Sequence, residues 1–86
     1  MASVIRYAEL RGFLVYHTFD SRKSPPGYPD LCLCRASRLI YAELKVGAGR
    51  LSADQERWLA ALRAVPRVEV YCWYPADWDA IEGVLR

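Results

Sequence analysis

Residues 30–45 read DLCLCRASRLIYAELK. Two apolar, strand-like runs flank Ala36 and Ser37, and a hairpin centred between those two residues sets opposite each other residues whose numbers sum to 73. Leu31 then faces Ala42 and Leu33 faces Ile40, which makes one apolar layer. Asp30, Cys32, Cys34, Leu39, Tyr41, Glu43 and Lys45 share the other face. A slip of one residue would mix the acids into the apolar layer, so the hydrophobic pattern and the acidic pairing select the same register.

In that register Asp30 sits opposite Glu43, and directly opposed residues have Cβ atoms only about 4.5–5.5 Å apart. Two carboxylates that close are unfavourable unless something cationic lies between them. Hard ions such as Mg²⁺ and Mn²⁺ take oxygen ligands, typically one or two carboxylates completed by water and substrate phosphate oxygens. Lys45 shares the face of Glu43, where its ammonium can reach an attacking water or the charge that grows on phosphorus. Such a set suits phosphodiester hydrolysis. The plainer readings are that Asp30 is a turn residue after Pro29 and that Glu43 and Lys45 alternate along a solvated strand.

On the N-terminal side of the hairpin, Val4, Ile5, Tyr7, Ala8 and Leu10 recur at helical spacing, which predicts a helix over Ala2 to Arg11 stopped by Gly12. Phe13 to Thr18 reads as a first strand and Phe19 to Pro29 as a loop. Ser21, Arg22, Lys23 and Ser24 in that loop are candidates for contact with a phosphate backbone. His17, a lone histidine in a strand, is expected to be structural or to touch substrate.

On the C-terminal side, Val46 to Leu51 is a second loop, with Gly47 and Gly49 beside Arg50, a further candidate for contact with a phosphate backbone. Ser52 and Gln55 form an S-x-x-Q capping box that starts a helix, with Trp58, Leu59, Leu62 and Val65 on one side and Pro66 at its end. Val68 to Tyr74 is a strand. Ala76 to Arg86 is a last short helix with Trp78, Ile81 and Leu85 inward. Trp58, Trp73 and Trp78 are expected in the core or at subunit contacts and not as base-stacking platforms.

The 86 residues bound this to one domain with a small core. A 53% hydrophobic fraction and a mean hydropathy of −0.05 describe a globular chain; without a membrane span or signal peptide in its pattern, a cytoplasmic location is expected. Net charge is only +2, yet Lys23 and Lys45 are the only lysines among 12 basic residues, and arginine forks onto phosphate better than lysine does. The cysteines, Cys32, Cys34 and Cys72, form no C-x-x-C pair and are odd in number, so neither a zinc ribbon nor a disulfide framework is indicated. Cys32 and Cys34 are expected to be small buried hydrophobes.

The element order α-β-β-β-α-β with a short C-terminal helix, together with Pro29-Asp30 and Glu43-Leu44-Lys45, resembles the PD-(D/E)XK nuclease superfamily. The longer string G-Y-P-D-L, A-E-L-K, a glycine-containing loop, D-Q-E-R-W-L and V-Y-C-W-Y-P is similar to the VRR-NUC (virus-type replication-repair nuclease) domain, especially its compact phage-type members, from about residue 4 onward. The resemblance implies an α/β, restriction-endonuclease-like core with a mixed sheet flanked by helices, spanning residues 1–86 as a single domain. It also implies that Asp30 and Glu43 hold Mg²⁺ or Mn²⁺ with the backbone carbonyl of Leu44, that Lys45 is catalytic, and that Gln55 points toward the site. The family places a further acid on the first helix. Glu9, the only acid before residue 20, is the candidate here, although it lies nearer the helix end than that pattern asks. The expected activity is endonucleolytic cleavage of DNA, by a homodimer and on branched forms such as four-way junctions, for a phage protein in its host cell. The alternative is a non-catalytic nucleic-acid-binding or assembly module that keeps the fold.

Overall fold

The computed structural model describes residues 2–18 and 24–86. Its elements are α1 (Ala2–Leu10), β1 (Leu14–His17), β2 (Leu31–Arg35), β3 (Arg38–Leu44), α2 (Ala53–Arg63), β4 (Val68–Trp73) and α3 (Trp78–Leu85), the last entered through a 3-10 turn, Pro75–Asp77. The strands form one mixed sheet in the order β1-β2-β3-β4, antiparallel except for the parallel β3–β4 pair. A parallel pair needs a crossover. Here α2 supplies it.

The β2–β3 register runs from Leu31↔Ala42 to Arg35↔Arg38, as the hydrophobic alternation predicts. Leu31, Leu33, Ile40 and Ala42 are fully buried beneath Val4 and Ala8 of α1 and Ile81 and Leu85 of α3. At the turn end of the hairpin, the Arg35 guanidinium donates to the carbonyls of Arg11 (2.8 Å), Leu85 (3.4 Å) and Arg86 (3.2 Å), and lies 4.3 Å over the Phe13 ring. That clamp holds the C-terminal ends of α1 and α3 at the turn. Their N-terminal ends therefore lie toward the opposite, open end of the hairpin.

The second face of the sheet is only half covered. α2 packs on β4 and buries Leu59, whereas on the β1 side Leu14 (78% exposed) and Tyr16 (63% exposed) face solvent. Cys34, the register partner of Leu14, is exposed as well, and Cys32, the partner of Tyr16, is half-buried. The expectation that both cysteines are buried is thus corrected, because among the described residues no helix covers this face beside β1. Val65 is also corrected: α2 ends at Arg63 with Ala64 as its cap, which leaves Val65 47% exposed. Among the described residues, no helix is long and apolar enough to cross a membrane.

Candidate active site

Asp30 is placed by the four residues G-Y-P-D. Gly27 has φ +96°, and a Cβ there would come within 2.6 Å of the Asp54 backbone, so only glycine lets this loop lie on the start of α2. Tyr28 wedges edge-on between Trp58 of α2 (5.1 Å between centroids) and Tyr41 of β3 (5.8 Å). Pro29 is fully buried. The Thr18 side chain donates to its carbonyl at 2.9 Å, and the Thr18 amide donates to the Asp30 carbonyl at 2.8 Å. Thr18 and Tyr28 are the positioning residues that reading the sequence missed. Thr18 is legible only once the β1–β2 register is known, because it continues that register opposite Asp30.

From this seat Asp30 Oδ2 accepts the Leu44 amide at 2.8 Å, so a carboxylate takes the place of the next acceptor in the β2–β3 ladder. Within an extended strand the N–H and C=O of one residue point to the same side. The Leu44 carbonyl is thereby directed to the Asp30 side of β3, while the Lys45 amide donates to Trp73 on the β4 side at 2.8 Å.

Glu43 is 3% exposed, the one buried charged side chain among the described residues. It is not the solvated strand residue of the plainer reading, since α2 lies over it. Gln55 Nε2 donates to Glu43 Oε2 at 2.9 Å, and Gln55 Oε1 accepts from Lys45 Nζ at 2.7 Å and from the Ser52 amide at 2.9 Å. Lys45 Nζ stands 3.7 Å from Glu43 Oε2. The capping box is fully formed, the Gln55 amide donating to Ser52 Oγ at 3.1 Å. Cap and site contact are therefore one geometry: the box that starts α2 also aims the Gln55 amide at Glu43 and Lys45.

Burial, followed by the neighbouring Asp30 charge, pushes the Glu43 carboxyl up from 4.5 to about 7, against a smaller opposing pull from Lys45. The Cys72 thiol, across from Glu43 in the parallel register, is also raised, by burial first and by Glu43 second.

The donor set fits a hard divalent ion. Asp30 Oδ2 accepts the Leu44 amide, Glu43 Oε2 accepts from Gln55, and the two carboxyl groups lie within hydrogen-bonding reach of each other, so their oxygens and the Leu44 carbonyl are the groups that could hold a cation. Among the described residues no group of three or more His, Cys, Asp or Glu gathers. Glu9 is accordingly not brought to the pair. It is exposed near the clamped C-terminal end of α1, about 9 Å along the helix axis from Ser3, whose end lies beside Leu44 and Lys45. Arg50 and Ser24 are exposed in their loops. Arg22 and Lys23, with Ser21, lie outside the described residues. No protein-family model, no curated protein and no solved structure matches the chain.

Proposed function

We propose that this chain is a Mg²⁺- or Mn²⁺-dependent endonuclease that hydrolyses phosphodiester bonds in DNA, a VRR-NUC-like member of the PD-(D/E)XK superfamily. The observation that carries the reading is the buried Glu43 carboxylate beside Asp30, tied through Gln55 to the ammonium of Lys45. An acid held against another acid, with its carboxyl raised to about 7, is a group poised to receive a cation. The element order and the hairpin register agree with the core which that superfamily implies.

Asp30 and Glu43 would hold the ion, with the Leu44 carbonyl directed to the same side. The bound metal would supply a Lewis acid and a lowered pKa for water. Lys45, fixed by Gln55, would stabilise negative charge growing on the phosphoryl oxygens or orient the attacking water. Arg50, with the loop around Arg22, Lys23 and Ser24, would contact the DNA backbone.

By the same resemblance the protein would act as a homodimer, with one site per subunit, on branched DNA such as four-way junctions in a host cytoplasm. The uncovered Leu14, Tyr16 and Cys34 face supports a second subunit there. A second reading, a nucleic-acid-binding module without catalysis, is favoured by one observation: among the described residues no third acid joins Asp30 and Glu43, and Glu9 is not with them. Incubation with single-stranded, duplex, flap and four-way-junction DNA separates the two. Cleavage with Mg²⁺ or Mn²⁺ that stops in EDTA supports the nuclease; binding without cleavage under any divalent ion supports the module.

A further inference from the structure

Behind the acidic pair, on the α1 and α3 side of the sheet, a cavity of about 330 Å³ opens at the ends of β3 and β4. Trp73, Tyr74, Pro75 and Trp78 wall one part of it, aliphatic residues of α1, α3 and the end of β3 wall the rest, and Ser3 and Lys45 also line it. Trp73 is buried, while Trp78 and Tyr74 are half-buried. The Tyr74 hydroxyl donates to the Gly49 carbonyl at 2.8 Å, which fixes that wall to the loop bearing Arg50. The edge-on contact of Trp78 with Tyr7 at 5.8 Å fixes the other.

We infer that this cavity receives an unpaired nucleobase of the nucleotide next to the scissile phosphate, an assignment that rests on the nuclease reading. Its volume is that of a small-ligand site and is too small for a partner's helix or strand. Flat aromatic walls with few polar groups suit a base, because every base offers a π-face and stacking is tolerant of sequence. Continuity with the reaction site is supplied by β3 itself: Leu44 gives its amide to Asp30 and lines the cavity, and Lys45 lines it and bonds Gln55. A polynucleotide that crosses this end of the sheet meets the phosphate site and the base slot in succession. A base inside a duplex is stacked and paired and cannot enter without being extruded. The slot thus selects DNA with an unpaired nucleotide at the cleavage point.

The test walks a single abasic position along a dye-labelled single-stranded oligonucleotide and measures binding by anisotropy, without divalent ions and again with Ca²⁺. One position is expected to cost about tenfold in affinity, the scale of a single base–aromatic stack, and the others about twofold or less. Ser3→Trp, which fills the slot from the exposed side of α1, is expected to weaken the intact oligonucleotide by the same factor and to erase the difference between intact and abasic strands. Val46→Trp, on a loop residue 82% exposed, does the same without touching α1. A uniform effect of abasic position, unchanged position dependence in both variants, or no binding at all overturns the inference. Cleavage of the same strands in Mg²⁺ or Mn²⁺ is scored separately: its absence removes the nuclease reading, while a position-specific base effect still supports the slot.

Discussion

Glu43 is where burial and charge repulsion meet. Its carboxyl keeps a proton to about pH 7 in the folded protein, but near 4.5 once unfolded. Between those values the folded state binds more protons, so stability falls as pH rises. The contribution is complete below about pH 4.5 and lost as pH passes 7, on the order of 3 kcal/mol. In EDTA, the wild-type melting temperature should drop between pH 5 and 8 relative to Glu43→Gln, and Mg²⁺ or Mn²⁺ should restore part of the loss at pH 8. Parallel pH curves for the two proteins would contradict the buried, repelled carboxylate. Gln55 is the other residue on which the site depends. Gln55→Ala would leave Lys45 and Glu43 without their amide partner and open the capping box, at a cost of about 2–3 kcal/mol measured by urea unfolding. A cost below about 0.5 kcal/mol would mean the network adds little.

Among the elements, the loop that ends in Asp30 is fixed by one close approach. Gly27→Ala would put a methyl group into the Asp54 backbone at a positive φ. Both effects act together, so destabilisation above about 2 kcal/mol is expected, with loss of Tyr28 packing visible in near-ultraviolet circular dichroism. Wild-type stability would show that the loop does not rest on α2. The hairpin itself was legible from period-two alternation, because a slip would have exposed Leu31 and Leu33. The capping box was legible from Ser52 and Gln55. What local pattern does not carry is coverage: whether α2 lies over Glu43 or over Cys34 depends on the crossover from β3 to β4, and no spacing along the chain encodes which half of a sheet a helix protects.

At the scale of the whole molecule, the Arg35 clamp sets the direction of α1 and α3 and so decides which of their ends meets the site. The spacing of Glu9 from Asp30 could not reveal this, since the clamp joins residues far apart in sequence. The uncovered β1 side leads to an expectation about assembly. Sedimentation equilibrium should give twice the 9.8 kDa chain mass, and Tyr16→Lys should shift it to the monomer. A wild-type monomer at micromolar concentration would leave that face without the partner proposed for it.

The most direct measurement compares cleavage by the wild type with that of Asp30→Ala, Glu43→Ala and Lys45→Ala on the branched and single-stranded substrates. Circular dichroism would verify that each variant is folded. Cleavage that needs Mg²⁺ or Mn²⁺, and that falls by about a hundredfold or more in every variant, is the expected result. Wild-type cleavage that persists in EDTA, or a folded Glu43→Ala protein that cuts at the wild-type rate, would contradict it.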